Sequence, residues 1–511
     1  MKLFLKFLAN TIAALLAAGF LVAAPTAIPT SASAETIISQ LGIDIDGEAA
    51  DDYSGSSVSL SSDGTRVAIG APYNDGNGNS SGHVRIYELS GGTWSQLGSD
   101  IDGEAADDQS GYSVSLSSDG TRVAIGTYGN DGTGSFAGHV RIYEFSGGTW
   151  SRLGSDIDGE FANDYSGYSV SLSSDGTRVA IGAPYNDGNG NASGHVRVYE
   201  FSGGTWSQLG SDIDGEAAVD FSGGSVSLNS DGSRVAIGAY GNDDNGNASG
   251  HVRVYEFSGG TWSQLGSDID GEAADDYSGH SVSLSSDGTR VAIGALNNDG
   301  NGSDAGHVRI YELSGGTWSQ LGSDIDGEAA DDYSGHSVSL SSDGTRVAIG
   351  AAYNDGNGSD AGHVRVYEFS GGTWNQLGSD IDGEAANDNS GRSVSLSSDG
   401  TRVAIGAAYN DGNGNNAGHV RLYSIVYQAP APVVVPTAKT NAGSFNGYVA
   451  VYAKGHKGKT LSWKIAGKWY KKKITSDYQV FQRKTAAVGL NVGVHLYIDG
   501  KKQLTKTVKT R

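Results

Sequence analysis

The chain has 511 residues, with no cysteine, 79 glycines, only 7 prolines and a formal net charge of −24. The absence of cysteine excludes disulfide-stabilised folds and thiolate chemistry. The many glycines are typical of tight turns between short strands, so we expect little helix. The charge is divided unevenly, because 16 Lys and Arg residues follow Ala438 against only Asp477 and Asp499, while the region before them is acidic.

The N-terminal segment, residues 1–34, has the pattern of a secretory signal peptide. Lys2 and Lys6 precede an apolar run, and small residues end at Ala34. This order of charge, apolar run and small-residue site predicts cleavage after Ala34 and export. A retained membrane anchor is the alternative, but the apolar run Thr11–Ala24 is short for a membrane span.

A sevenfold repeat follows, with the string IDGE returning every 56 residues. Its copies begin at Ile45, Ile101, Ile157, Ile213, Ile269, Ile325 and Ile381. Repeats of about this length are typical of solenoids, propellers and arrays.

Each repeat contains four short runs of β type, of which SVSLS, TRVAIG, HVRIYEF and TWSRLGS are one set, separated by Gly and Asp turn signals. Four strands per repeat are typical of a propeller blade. The second run, Val67 to Gly70, is apolar throughout, which predicts a strand covered on both faces. In the third run Val84 and Ile86 alternate with Arg85, so we expect this strand to be more exposed.

The two ends of the array favour a closed ring. A TWSQLG-like fourth strand follows repeats one to six, with Trp94, Trp150, Trp206, Trp262, Trp318 and Trp374, but none follows the seventh. The orphan segment Thr36–Gly42 matches the missing strand, with Ile38 in the position of Trp. A solenoid would instead need polar caps. We therefore predict an all-β chain with a seven-bladed β-propeller of four-stranded blades, closed by an N-terminal strand, over residues 35–426.

The unit from Asp164 to Trp206, which begins DYSGYSVSLSSDGTRVAIGAP, resembles the FG-GAP repeat of bacterial surface proteins, a relative of the propeller head of integrin α chains. The FG of the family corresponds to Ser166-Gly167, and its GAP is kept at Gly70-Ala71-Pro72 and Gly182-Ala183-Pro184. The resemblance covers about residues 36–424 and implies a surface-exposed binding or adhesion protein. The integrin-type calcium loop DxDxDG is absent, and the tight turn SSDGT stands in its place.

Long acidic connections are expected to share one face of the propeller, opposite the short SSDGT and SGGT turns. These connections offer clustered oxygen ligands of the kind that calcium binds. The candidate calcium ligands are Asp44, Asp46, Asp75, Asn77, Asn79, Asp100, Asp102, Asp187, Asp299, Asp355 and Asp411. A solvated acidic surface and a docking surface for a basic partner are the alternatives.

Two positions vary from repeat to repeat while the strands barely change. The first opens the first strand, near the expected channel mouth, and reads Ser56, Tyr112, Tyr168, Gly224, His280, His336 and Arg392. The second follows the VAIG strand and contributes Tyr73, Tyr128, Tyr185, Tyr240, Tyr353 and Tyr409. Binding residues concentrate on loops over a rigid scaffold, so the aromatic and basic members are our candidate ligand-binding residues. Drift at unconstrained positions is the alternative.

A Gly-His pair starts every third run, with His83, His139, His195, His251, His307, His363 and His419. We interpret these histidines as buried hydrogen-bond organisers that lie too far apart to share a metal. The Trp set is interpreted as packing at blade edges. No nucleophile and base stand out from the repeated background, so an enzyme is not expected.

Residues 427–440 are predicted to be a stiff Pro-rich linker, and residues 441–511 a small, basic, antiparallel β-domain. The Asp499-Gly500 pair predicts a hairpin. Lys471, Lys472 and Lys473 could bind an anionic polymer of the cell envelope or the acidic propeller itself. Nucleic acid is not expected as a partner of an exported chain, and no membrane span is expected after signal cleavage.

Three functions are compatible with these features. The favoured hypothesis is a secreted or cell-surface, non-enzymatic binding or adhesion protein that presents the acidic loop face to a protein or cell-envelope polymer. One alternative is a glycan hydrolase or lyase that uses His280, His336 and Arg392 in the central channel. The other is a purely structural matrix component.

Overall fold

A computed structural model of the chain describes residues 35–428, 436–439, 448–454, 458–465, 468–474, 478–484 and 491–509. None of these residues is helical, so no helix among them is long and apolar enough to cross a membrane. The predicted signal peptide, residues 1–34, lies outside the described residues. The chain divides into two compact units, Thr36–Val426 and a second that includes Tyr427–Arg511.

The first unit holds seven sheets, each with four antiparallel strands and a further two-residue strand. The first strands, which surround the central channel, span Ser57–Leu60, Ser113–Leu116, Ser169–Leu172, Ser225–Leu228, Ser278–Leu284, Ser334–Leu340 and Ser393–Leu396. The second strands span Arg66–Ala71, Arg122–Thr127, Arg178–Ala183, Arg234–Ala239, Arg290–Ala295, Arg346–Ala351 and Arg402–Ala407. We number the blades one to seven in the order of their first strands.

The third strands span His83–Ser90, His139–Ser146, His195–Ser202, His251–Ser258, His307–Ser314, His363–Ser370 and His419–Gln428. The fourth strands span Thr93–Gln96, Thr149–Arg152, Thr205–Gln208, Thr261–Gln264, Thr317–Gln320, Thr373–Gln376 and, in blade seven, Glu35–Gln40. The two-residue strands span Ile45–Asp46, Ile101–Asp102, Ile157–Asp158, Ile213–Asp214, Ile269–Asp270, Ile325–Asp326 and Ile381–Asp382. The predicted seven-bladed propeller is confirmed.

Adjacent blades pack through apolar clusters that each combine residues of two neighbours. Val67, Ala68 and Ile69 are at most 1% exposed, because the second strand is covered on both faces, as predicted. Ala68 meets Val123 of the next blade in one such cluster. Each buried Val or Ile side chain contributes about 1.5–3 kcal/mol, so the repeated strands explain most of the cohesion of the ring.

The third strand differs from the prediction. Its first half is buried throughout, and Arg85 is only 5% exposed although its position was expected to be open. Arg85 donates to the backbone carbonyl of Asp46 at 2.7 Å, and its guanidinium lies 5.6 Å from the ring centre of Tyr87. The connection that precedes blade one therefore covers this strand, a contact that the local alternation of residues does not reveal.

The ring is closed by the N-terminal strand, as predicted. Glu35–Gln40 pairs with the third strand of blade seven and supplies its fourth strand. In the other blades the Trp side chain of the fourth strand hydrogen-bonds to the previous blade. In blade one, Trp94 Nε1 donates to the Leu41 carbonyl at 2.7 Å. Ile38 takes the equivalent place, beside Gly378, and packs on the apolar cluster of blades six and seven without an N–H to donate.

The short-turn end of the central channel is formed by one serine from each blade, which we call the serine ring. Its members are Ser62, Ser118, Ser174, Ser230, Ser286, Ser342 and Ser398. The backbone N–H of each donates to the carbonyl of the next, at 2.8 or 2.9 Å, and Ser398 donates back to Ser62. Seven backbone hydrogen bonds thus run around the channel without a break.

The second unit contains two small antiparallel sheets among its described residues. One sheet consists of Pro436–Lys439, Tyr448–Lys454 and Tyr478–Lys484, and the other of Lys468–Lys473, Thr460–Ile465, Asn491–Ile498 and Lys501–Lys509. Asp499 and Gly500 form the turn between the last two strands, as the predicted hairpin requires. Within the segment 427–440, for which a linker is predicted, the described residues include the strand Pro436–Lys439.

Candidate functional site

The loop end of the central channel is surrounded by the first predicted set of variable residues, which we call the mouth ring. The rings of Tyr112 and Tyr168 lie 5.0 Å apart, and those of His280 and His336 lie 5.2 Å apart. Arg392 lies 5.5 Å from the ring centre of Tyr409. The structure therefore gathers this set around one opening. Each pair of neighbouring side chains around the opening has a different combination of residue types.

All seven blades place their mouth residue by the same backbone path. The N–H of His280 donates to the Tyr277 carbonyl at 3.1 Å, as the N–H of Ser56 donates to the Tyr53 carbonyl in blade one. The residue three positions before each mouth residue has a positive φ in every blade. The mouth residues therefore differ in their side chains and not in their backbone.

The second predicted set packs against the mouth ring. Tyr128 lies 4.5 Å from Tyr112, and Tyr240 lies 5.9 Å from His280. Gly224 has no side chain, and the ring of Tyr240 fills the space where a Cβ would point. Of this set, Tyr73 and Tyr185 are exposed, and the remaining four are half-buried: Tyr128, Tyr240, Tyr353 and Tyr409.

A third variable set also belongs to this surface, and the sequence analysis missed it. It comprises Tyr53, Gln109, Tyr165, Phe221, Tyr277, Tyr333 and Asn389, all with positive φ. The ring of Tyr53 lies 5.1 Å from both Tyr73 and Tyr409, and Phe221 stacks on Tyr240 at 5.2 Å. The same signal, variation between copies within the DYSG motif, would have identified it.

The aromatic surface is interrupted between blades five and six by a pocket of about 540 Å³, which we call the mouth pocket. Its lining consists of His280, Leu296, Asp331, Tyr333, His336, Tyr353 and Asp360. Blade five has Leu296 and Asn297 where the other blades place a Tyr in one of the two positions. The pocket opens because blade five lacks that ring.

Three polar atoms at or beside the mouth pocket are buried without a hydrogen-bond partner. They are Nδ1 of His280, Nδ1 of His336 and Oδ1 of Asn297. Burial lowers the pKa of His280 to about 4. Burial, followed by the charges of His280 and Arg392, holds the pKa of His336 well below its ordinary value. Both imidazoles are therefore neutral near pH 7, and unsatisfied polar atoms of this kind need an explanation.

Most candidate calcium ligands in the long loops are engaged in closing their own loops. Asp75 Oδ1 accepts the backbone N–H of Ser80 at 2.7 Å. Equivalent bonds are made by Asp187, Asp299, Asp355 and Asp411. Asn77 donates to the carbonyl of Gly103 at 2.8 Å, and Asn79 donates to Asp107. These groups have structural roles, and calcium binding in the loops stays a prediction.

The candidate ligands in the IDGE segments divide into two groups. Asp44 and Asp100 each lie within 4.8 Å of a glutamate and a Gly-His histidine, in the clusters Asp44–Glu384–His419 and Glu48–His83–Asp100. Asp46 and Asp102 pair through their backbones with the third strands. Burial and the nearby Asp100 raise the pKa of Asp102. Sequence reasoning named the aspartates but missed their glutamate and histidine partners.

The Gly-His histidines are buried, as interpreted, but they do not organise hydrogen bonds as expected. His83 is 2% exposed, and its Nε2 has no hydrogen-bond partner. Its Nδ1 lies 3.9 Å from a carboxylate oxygen of Glu48. Burial and Arg85 together lower the pKa of His83 to about 4. The same approach of Nδ1 to a glutamate oxygen, at 3.9–4.0 Å, occurs at His251, His363 and His419.

Comparisons with known proteins identify the repeats. The profile of the family described as FG-GAP repeat matches residues 44–87, 157–199 and 381–423. These segments belong to repeats one, three and seven, and the other four repeats have the same strands in the structure. A search of curated proteins gave no match.

Solved structures with a similar arrangement have low sequence identity. The acylaminoacyl peptidase of Pyrococcus horikoshii is 11% identical, with 81% of this chain and 58% of that chain covered and a TM-score of 0.41. The β-propeller domain of the Trilobed protease from Pyrococcus furiosus is 10% identical, with 68% and 90% covered and a TM-score of 0.39. Nothing about activity follows from these similarities. The chain contains FG-GAP repeats, and its seven repeats form a seven-bladed β-propeller.

Proposed function

We propose that the protein is a non-enzymatic binding protein that takes a group of its ligand into the mouth pocket. The observation that carries this proposal is the set of three buried, unpartnered polar atoms on His280, His336 and Asn297. A buried polar atom without a partner costs about 1–3 kcal/mol. A ligand that hydrogen-bonds to these atoms would recover that free energy, which gives the pocket a reason to differ from the rest of the ring.

The chemistry of the pocket favours a neutral or cationic group with hydroxyl, amide or amine functions. A neutral imidazole has one nitrogen that donates a hydrogen bond and one that accepts. Tyr333 and Tyr353, with ring centres 5.1 Å apart, supply aromatic surface, and Asp331 and Asp360 supply negative charge. Such groups occur on proteins and on cell-envelope polymers, which are the ligand classes we propose.

The proposal of a binding protein rather than a hydrolase or lyase rests on the same atoms. A general base in nucleophilic catalysis is usually oriented by a third group through its second nitrogen. Nδ1 of His280 and Nδ1 of His336 have no partner, so no carboxylate orients either ring through that atom.

We further propose that the protein acts outside the cell or at its surface, retained by the basic C-terminal unit. The signal-peptide pattern of residues 1–34 supports export. In the C-terminal unit Lys471, Lys472 and Lys473 are exposed, and Trp469 is 56% exposed with Lys464 5.7 Å from its ring centre. Clustered cations beside an exposed indole are suited to an anionic polymer.

The binding proposal is tested by screening the full chain against panels of glycans, matrix proteins and envelope polymers. We expect His336→Phe and Asn297→Leu to weaken binding of the captured ligand at least tenfold, because each removes an unpartnered polar atom in or beside the pocket. Ser398→Ala, at the opposite end of the channel, is the matched control and should bind normally. Unchanged binding in both mouth variants would contradict the proposal, and so would release of cleaved product from a bound glycan.

Retention at the envelope requires a separate test. The full chain in which Lys471, Lys472 and Lys473 are all changed to Gln should sediment less with purified cell envelopes than the unchanged chain. The effect should disappear at high salt, because exposed charges are screened there. Equal sedimentation of the two chains would show that these lysines do not retain the protein.

A further inference from the structure

The clusters of glutamate, histidine and aspartate recur around the propeller, but the one in blade four is different. At least four of the six further clusters among the described residues contain three residues each, such as Glu104, His139 and Asp156. The cluster of blade four contains four: Glu216, Asp244, His251 and Asp268, with one ligand atom of each lying within 4.8 Å of the others.

The fourth member is present because of a single residue difference. Asp244 occupies a loop position that is glycine in every other repeat, at Gly76, Gly132, Gly188, Gly300, Gly356 and Gly412. A Cβ built on Gly300 would lie 3.9 Å from a carboxylate oxygen of Asp326, the equivalent of Asp270. A side chain at this position therefore points toward the carboxylates of the next IDGE segment, where Asp244 meets the cluster.

The histidine of this cluster is fully buried and has no hydrogen-bond partner on either ring nitrogen. The exposed fraction of His251 is 0%, and both Nδ1 and Nε2 are unpartnered. Nδ1 lies 3.9 Å from Oε2 of Glu216, so the imidazole points into the cluster. A buried imidazole facing three carboxylates is an available nitrogen ligand rather than a solvated side chain.

We propose that Glu216, Asp244, His251 and Asp268 bind one divalent transition-metal ion, of which zinc fits best. Zinc takes imidazole and carboxylate ligands in tetrahedral sites at about 2.0–2.2 Å, which places neighbouring ligand atoms about 3.3 Å apart. Glu216 and Asp244 are exposed and Asp268 is half-buried, so their side chains can rotate over the short remaining distance. Calcium and magnesium prefer oxygen ligands alone, and the imidazole discriminates against them.

The surrounding residues hold two of the carboxylates in position. Arg253 Nη1 lies 3.4 Å from Oε1 of Glu216, and Gln264 donates to Oδ1 of Asp268. Each contact engages one oxygen of its carboxylate and leaves the second oxygen as a ligand for the metal. Partners of this kind orient metal ligands and tune affinity, so the site has supporting contacts as well as ligands.

The ligands come from three separate parts of the chain. Glu216 follows the two-residue strand that precedes blade four, Asp244 and His251 belong to blade four, and Asp268 precedes the strand Ile269–Asp270. A bound ion would therefore connect two long connections to the third strand between them. Because the ion would bind only the folded state, it would also raise the stability of the protein.

The experiment is calorimetric titration of the metal-stripped full chain with zinc chloride. We expect one site that binds zinc at least tenfold more tightly than any site in Asp244→Gly. This variant restores the residue of the other six repeats, so it should fold normally. Gly300→Asp should add a second tight site, because it gives blade five the same four ligands. Identical isotherms of the unchanged chain and Asp244→Gly would overturn the proposal.

A second variant tests the nitrogen ligand. His251→Gln should also remove the tight zinc site, while thermal unfolding without zinc checks that the variant is folded. Calcium chloride and magnesium chloride are titrated in parallel and should bind at least tenfold more weakly than zinc. If either ion binds the unchanged chain as tightly as zinc does, the cluster is a carboxylate site without a nitrogen ligand and the proposal is wrong.

Discussion

The two ends of the central channel follow opposite rules. At one end the serine ring has the same residue in all seven blades, and its backbone groups bond to one another around the circle. At the other end the mouth ring has five residue types at seven equivalent positions, including Tyr112, Gly224, His280 and Arg392. The residue type thus varies between blades at the mouth of the channel and is constant at its short-turn end.

The backbone explains why variety is confined to the mouth. Ser57 Oγ donates to the carbonyl of Gly111 at 2.8 Å, just before mouth residue Tyr112. The glycine of the second strand, Gly70, packs directly beneath the same carbonyl. Neighbouring blades therefore hold the backbone at the mouth, while the side chain beyond it packs against other variable residues, as Tyr112 packs against Tyr128. The position of the backbone at the mouth is therefore constrained separately from the identity of the side chain that it carries.

The largest expected effect comes from disturbing the layer beneath the mouth. A Cβ on Gly126 would lie 2.0 Å from the carbonyl oxygen of Gly167, a backbone atom that cannot move aside. We expect Gly126→Ala to lower the free energy of unfolding by about 3 kcal/mol or more. Denaturant titration measures the change, and Gly148→Ala is the control, because nothing lies within 4 Å of that Cβ and only its positive φ is strained.

If Gly126→Ala lowered the free energy of unfolding no more than Gly148→Ala does, the backbone at the mouth would not be fixed while its side chains are free to vary. The mouth would then be as adaptable in its backbone as in its sequence. Its side chains would then not vary over a rigid scaffold.

The next effect tests the serine ring. Ser118→Pro removes the N–H that donates to the carbonyl of Ser174 at 2.8 Å and breaks the circle at one point. We expect a loss of about 1–3 kcal/mol, the usual cost of leaving a buried acceptor unpaired. Ser118→Ala keeps the N–H and should change stability by less than about 0.5 kcal/mol. Equal losses in the two variants would assign the constraint to the serine hydroxyl instead of the backbone.

The sequence predicts the scaffold far better than the site, for a physical reason. A period of 56 residues, four β-type runs per period and the orphan strand around Ile38 specify a closed seven-bladed ring, because each depends on local pattern or on counting. The burial of Arg85 escaped prediction, because it depends on the carbonyl of Asp46 and on Glu48, which lie far away in the chain.

The site could be predicted in part. Variation between copies identified the mouth ring and the tyrosines behind it, and the structure brings both sets together. The mouth pocket could not be predicted, because it exists where a ring is missing, at Leu296 and Asn297, and where His280 and His336 come together in the folded ring. A missing ring leaves no motif in the sequence, and the contact joins residues of two different repeats.

The mouth ring also predicts a dependence of stability on pH. The pKa of His280 falls from 6.5 to about 4 on folding, because burial, together with the charge of Arg392, disfavours its charged form. Between these two values the unfolded state binds more protons than the folded state, so stability falls as the pH falls from 6.5 toward 4. One such histidine contributes a slope of at most about 1.4 kcal/mol per pH unit.

Removing this group should reduce the dependence. We expect the difference in unfolding free energy between pH 7 and pH 5 to be smaller in His280→Phe than in the unchanged chain. Tyr168→Phe, elsewhere on the mouth ring, should leave that difference unaltered. A chain with His280→Phe that loses as much stability at pH 5 as the original would show that this imidazole is not held neutral in the fold.

The smallest expected effect tests most directly whether the mouth positions accept different side chains. Ser56 is the mouth residue of blade one, where blades two and three have Tyr112 and Tyr168. Because the backbone there is held by the same hydrogen bonds in every blade, Ser56→Tyr should change the free energy of unfolding by less than about 0.5 kcal/mol. Thermal and denaturant unfolding give that value, with the mouth pocket of blades five and six left intact for ligand binding. A loss above about 1.5 kcal/mol would mean that neighbouring mouth residues are packed in matched pairs, and the variety of the ring would then reflect packing between blades instead of recognition.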